Sequence, residues 1–362
     1  PHIPRRPVAR IHFHHKQPTT QLDTAMSIPF DTLKNAHRVL FNIPLRPVQG
    51  ERFQPTGFPS LGAATYQTRN GRSLLVESAQ SMANRLETVI WDAATQAPVA
   101  AAAGLSYIRV ERKGGFLTSS ILESHRINSP YLLESKKDKT FFNELKAALG
   151  GLEEGPINRR LLAQTLFKYD ANALIHGVFL AKKELAGGRL RIARALSAFI
   201  EADGIEVAAS GGVKNDHVSP QGDTKTGFGN VPFSRDEYTA QTITLYVNLD
   251  LDQIRGYGLD DNATRLLVVL ALYKVRALLS GALRLRTACD LEPVSIEVTA
   301  LRPEGFALPS LDELETELKA AIGANKDALK QTTVKYEDEL TKGKGEDETG
   351  DAEAEADDSD AQ

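Results

Sequence analysis

Gln54, Thr56, Gly57 and Ser60 are interleaved with Pro55 and Pro59 in the tract GERFQPTGFPSLGAATYQTRNGRSLLVESAQSMANR, residues 50–85. The prolines restrict the backbone, so short hydroxyls, amides and main-chain N–H groups are held semi-rigidly. Such groups suit a phosphate backbone or another anion, which accepts hydrogen bonds and offers little apolar surface. Arg52 adds a cation to the same run. No hydrophobic core needs that mixture, and the chemistry it predicts is the gripping of something long and polar.

A second polar tract, SGGVKNDHVSPQGDTKTGFGNVPFSR over 210–235, mixes five glycines with Lys214, Lys225 and Arg235. A connection longer than about 12–15 residues without regular structure is usually functional or disordered. His217 beside Asp216 is its one pairing suited to acid/base work, and a polar loop contact is the favoured reading of that pair. His176 lies in an apolar run and reads as a satisfied core histidine. His12, His14 and His15 lack a second ligand cluster at matching spacing, so no metal site is expected. A Walker-type loop, a nucleophile elbow, a zincin helix and paired metal-binding cysteines are absent, and GYGLDD from Gly256 lacks the third glycine of a dinucleotide fingerprint. No cofactor and no catalytic residue is expected.

Several elements must position these tracts. Residues 37–45 read as a buried first strand. Residues 74–92 read as a helix with Leu75, Ala79, Met82, Leu86 and Val89 inward. Its other stripe holds Ser78, Ser81 and Arg85, flanked by Gln80 and Asn84, with fewer Lys and Glu than a plain solvent face carries. Strands are expected at 104–112, 173–181, 205–210, 240–249 and 293–299. Helices are expected at 139–149, 158–168, 262–280 and 311–322. Strands and helices mix without regular alternation, which favours an α+β sheet over a doubly wound one.

The chain of 362 residues can bury a substantial core. Its longest apolar run, 266–273, is far shorter than the ~20 residues of a membrane span. A lone cysteine, Cys289, excludes an internal disulfide framework and suits a reducing cytoplasm. The formal charge of −4 is unevenly spread: residues 337–362 hold 12 acidic and 2 basic side chains, leaving a net +6 on residues 1–336. A mildly basic body with an acidic tail fits a nucleic-acid binder. Residues 1–25 lack apolar periodicity and are expected to be a disordered extension, from an over-extended gene start or an expression remnant before Met26. Residues 26–325 are expected to form the folded domain and residues 326–362 a disordered acidic tail.

RFQPTGFPSLGAATY (52–66), LLVESAQSMANRLE (74–87) and GFGNVPFSRDEYTA (227–240) resemble the backbone RAMP protein of type I-G (formerly I-U) CRISPR Cascade complexes. The resemblance spans roughly residues 41–309. It implies a modified RRM-like (ferredoxin-like) palm with inserted finger, thumb and web elements. It also implies a non-catalytic subunit that polymerises along a CRISPR RNA and presents the spacer for pairing with target DNA. Partners would be the CRISPR RNA, target DNA through that RNA, further copies of the chain and other Cascade subunits, with no membrane. Carried onto this sequence, Arg52, Gln54, Thr56 and Gly57 would line the RNA groove. Ser78, Gln80, Ser81, Asn84 and Arg85 would contact phosphates or 2′-hydroxyls. Lys214, Asn215 and His217 would belong to a thumb-like element. Two other readings stay open: an endoribonuclease of the same superfamily that processes or cuts RNA, and a phosphate-binding metabolic enzyme.

Overall fold

In the computed structural model the described residues are 30–58, 62–69, 71–150, 157–223, 226, 228–281 and 283–339. The histidine cluster at 12–15, Ser60, Lys225, Gly227 and the chain beyond Glu339 lie outside them. In chain order the principal elements are β1 (Arg38–Pro47), β2 (Thr65–Thr68), β3 (Gly71–Glu77), α1 (Ala79–Thr88), β4 (Tyr107–Arg112) and β5 (Gly115–Ser119). Then come α2 (Thr140–Leu149), α3 (Arg159–Tyr169), α4 (Asn172–His176), β6 (Leu196–Asp203), β7 (Glu206–Lys214), β8 (Val231–Thr239) and β9 (Thr242–Asp250). The last are α5 (Asp261–Leu279), β10 (Arg284–Arg286), β11 (Cys289–Pro293), α6 (Leu311–Ala324) and β12 (Gln331–Lys335).

The central sheet is antiparallel, with seven strands in the order β10-β11-β1-β9-β6-β3-β2. Strict alternation makes one face of it: Val39, Phe41, Ile43 and Leu45 on β1, Leu196, Ala198, Ile200 and Ala202 on β6, and Ile243, Leu245, Val247 and Leu249 on β9 are all buried. Helix α1 packs on β6 and α5. The opposite face carries a cross-strand pair of Phe199 and Tyr246, stacked at 5.1 Å between centroids. A second sheet, β12-β4-β5, lies beyond α1 in sequence, with β12 parallel to β4.

Four sequence expectations need correction. The expected helix over 74–92 is strand β3 followed by α1, because Leu74 and Val76 are buried in the sheet and Ser78 takes an extended conformation as the helix N-cap. The expected strand over 173–181 is helix α4, then a turn at Gly177 (φ +82), then a three-residue strand. A Cβ at Gly177 would sit 3.0 Å from the backbone of Arg194 and Ile192, so the close approach requires glycine. The expected last strand at 293–299 lies earlier, at β11, where Leu45 pairs with Pro293. Within the chain expected to be disordered from 326 onward, residues 331–335 form β12, and Asp338 accepts backbone N–H bonds from Lys136 (2.6 Å) and Lys137 (3.1 Å). The charge at its start misleads because the Asp338 carboxylate satisfies backbone N–H groups of another segment.

Candidate nucleic-acid interface

The loop after β1 is fixed by its own backbone. Phe53 and Tyr238 exchange N–H···O bonds of 2.9 Å, which ties the loop to the base of β8. Gln54 N–H donates to Ala288 (2.8 Å) and Thr56 N–H to Val76 (3.2 Å). These amides therefore do not cradle an anion, contrary to the expectation drawn from the prolines. The loop instead presents side chains. Arg52 is 59% exposed and lies 3.6 Å from Glu237; Gln54 and Thr56 are half-buried. Gly57 is exposed and runs close to a neighbouring strand, where a Cβ would meet the Gly62 carbonyl at 3.1 Å.

The polar stripe of α1 divides into two groups. Ser78 caps the helix, its hydroxyl accepting from Ser81 N–H at 3.2 Å. Ser81 Oγ and Arg85 Nε (3.0 Å) both donate to Glu77, whose side chain is 2% exposed. Arg85 Nη1 and Nη2 reach the carbonyls of Arg284 (3.2 Å) and Leu285 (2.6 Å). Ser78, Ser81 and Arg85 thus hold the helix in place, while Gln80 and Asn84 face solvent. Arg194, which sequence reasoning missed, is half-buried beside this exposed group: its Nη2 donates to Gln80 Oε1 and its Nη1 to the Ala79 carbonyl, each at 3.0 Å. Nothing in its surrounding sequence signals that role.

Lys214, Asn215 and His217 are exposed at the far end of the β7–β8 hairpin. The ladder runs from Glu206↔Thr239 to Lys214↔Val231. At ~3.3 Å per residue its tip stands roughly 26 Å from the base that joins Phe53. The tract expected as an irregular loop over 210–235 is therefore largely a projecting ribbon. Asp216 organises its tip: Oδ1 accepts from Val218 and Ser219 N–H (2.9 Å each) and Oδ2 from Gly229 N–H (2.8 Å). Those bonds, led by Ser219, hold its carboxyl below the usual range. They give Asp216 a turn-building role and no partnership with His217.

Behind α1 lies a buried ionic cluster. Glu87 accepts two bonds of 2.6 Å from Arg126 and one of 2.7 Å from Asn172. Lys274 bonds Asn172 Oδ1 and lies 2.9 Å from His176 Nε2. Burial pushes Lys274 down to about 7 and His176 well below its ordinary value. Burial and then the charge of Glu87 push Asp170 up to about 7. The cluster locks α1 to α4 and α5, since breaking one partner of a buried pair costs about 3–5 kcal/mol. Cys289 is buried, and burial pushes its thiol up to about 12. Among the described residues no group of three or more His, Cys, Asp or Glu could hold a metal ion, and no helix is long and apolar enough to cross a membrane.

Residues 39–207, which include β1, the loop, α1 and β6, match the family model described as "CRISPR-associated protein GSU0053". No curated protein matches the chain. Among solved structures, a chain of a "CRISPR RNA-guided surveillance complex, pre-nicking" shares 17% identity, covering 73% of this chain and 75% of that one at a TM-score of 0.37. A chain of a "CRISPR RNA-guided surveillance complex" shares 16% identity over 78% and 74%, at 0.34. The Thermofilum pendens protein Csc2 shares 11% over 82% and 80%, at 0.30. Likenesses of that depth leave the assignment resting on the family match. Over residues 39–207, a little under half of its length, this chain is similar to the family of CRISPR-associated protein GSU0053.

Proposed function

We propose that the chain is a non-catalytic backbone subunit of a type I-G Cascade complex, which binds CRISPR RNA and polymerises along it. The observation that carries this reading is the coincidence of the family match, residues 39–207, with the polar loop and the exposed residues of α1. Strand order supports the fold it requires. Elements β1, α1, β6, β9, α5 and β11 follow one another as βαββαβ, and their strands lie in the order β11-β1-β9-β6. That order is the one a ferredoxin-like, RRM-type palm would have, with β2, β3 and β10 as added edge strands. The β7–β8 ribbon fits a thumb, and the stretch between α1 and β6 fits a finger insertion.

On this reading Arg52, Gln54, Thr56, Gln80, Asn84 and Arg194 face the sugar–phosphate backbone, and Lys214, Asn215 and His217 meet the nucleotides from the ribbon tip. Sequence-blind binding of that kind uses cations and uncharged hydrogen-bonding groups without base readout. The spacer bases stay free to pair with target DNA. The test is RNA binding by the full chain against salt. Affinity that rises with RNA length and falls steeply with salt, with the RNA left intact, is expected. Shortened RNA would contradict a non-catalytic role, and indifference to RNA would contradict the function.

A further inference from the structure

Beneath the loop lies a largely enclosed arginine that neither the polar tract nor the helix stripe accounts for. Arg286, in the short strand β10 nearly 200 residues away in sequence from α1, is 13% exposed. Its Nη1 donates to the carbonyls of Gln54 (2.9 Å) and Val76 (3.3 Å). Its Nη2 bonds Glu77, the same carboxylate that receives Ser81 and Arg85. One guanidinium therefore joins the loop, the end of β3 and the start of α1. Two arginines on one buried carboxylate leave a net positive charge under the loop. Apolar side chains would fill this volume as well or better, since a buried ion pair is weak evidence for stability. What the charged arrangement adds is direction: planar, multiply bonded guanidinium groups fix the angle and height of the groups they hold.

We infer that Arg286, acting through Glu77, is the positioning residue that sets the nucleic-acid loop at residues 52–57 against α1, an inference that rests on the RNA-binding reading. Arg286 does not touch RNA. It holds the Gln54 carbonyl, and so sets where the Arg52 and Gln54 side chains emerge relative to Gln80 and Asn84. Losing bonds of this charged type should weaken RNA binding by about ten-fold or more.

The experiment compares wild type, Arg286→Lys, Arg286→Met and Glu77→Gln as full chains. Each is assayed for binding of unstructured poly-uridine RNA across a salt series, and for amide hydrogen exchange at 52–57. The expected result for Arg286→Met is an about ten-fold loss of affinity with an unchanged salt slope and faster exchange in the loop. Arg286→Lys should recover part of both losses. A fall of about 0.7 in the slope would mean that Arg286 neutralises a phosphate itself, and would overturn positioning. Unchanged affinity in a folded variant would overturn it also. If Arg286→Met does not fold, Arg286→Lys and Glu77→Gln carry the same comparison. A wild type that ignores RNA removes the binding reading and this role with it, and faster exchange in the variants would then mark a structural brace alone.

Discussion

The guanidinium of Arg85 has the charge a phosphate contact needs, yet Nε, Nη1 and Nη2 are all committed, to Glu77 and to the carbonyls of β10. Arg85→Met is therefore expected to lower stability by about 2 kcal/mol in denaturant unfolding, while the salt slope of RNA binding stays at the wild-type value. Asn84→Ala should behave in the opposite way, with stability within about 0.5 kcal/mol of wild type and weaker RNA binding. The composition of the α1 stripe was legible from sequence. The division between contacting and bracing residues was not, because Arg85 and Ser81 are claimed by Glu77 and by a strand roughly 200 residues away. The ionic cluster makes a pH prediction. Asp170 is raised to about 7, so its contribution is fully present below the ordinary carboxylate value near 3.8 and is lost as pH rises toward 7. Lys274, depressed to about 7, adds a penalty below that pH which is relieved between about 7 and 10.5. Asp170→Asn should thus raise the urea midpoint at pH 7 and have little effect at pH 4. An equal effect at both would contradict the assignment.

Among the elements, alternation was the clearest signal, and β1 and β9 follow it closely. Strand β6 carries an equally clean Leu196, Ala198, Ile200, Ala202 pattern and was legible in principle, though it forms no part of the expected set. Beyond the strand expected at 205–210, the β7–β8 ribbon was not legible, because it stands away from the core and most of its residues are exposed on both faces. With no buried side there is no period of two to read. Its tip depends on Asp216 and on Gly229, whose φ of +87 and 2.3 Å approach of a Cβ to the Gly222 carbonyl admit no side chain. Gly229→Ala or Asp216→Ala should therefore speed hydrogen exchange at Val218 and Ser219 without moving the melting temperature, since the tip lies outside the cooperative core. In the core itself, Leu245→Ala should cost about 2–5 kcal/mol. A melting shift from the tip variants as large as that from Leu245→Ala would show that the ribbon is part of the core.

At the scale of the whole molecule, charge is divided between a basic body and an acidic C-terminal segment, and the boundary between them is structural. Asp338 caps the amides of Lys136 and Lys137, and Glu337 accepts from the Lys113 amide at 3.0 Å. Removal of residues 340–362 should leave the melting temperature unchanged and raise non-specific RNA affinity at low salt. Removal from 337 onward should lower the melting temperature as well. The central claim concerns assembly, and light scattering coupled to size exclusion tests it most directly, on the full chain with and without CRISPR RNA of two lengths. The account predicts a discrete oligomer whose copy number grows with the length of the RNA. A species of constant mass that elutes the same with and without RNA would contradict it.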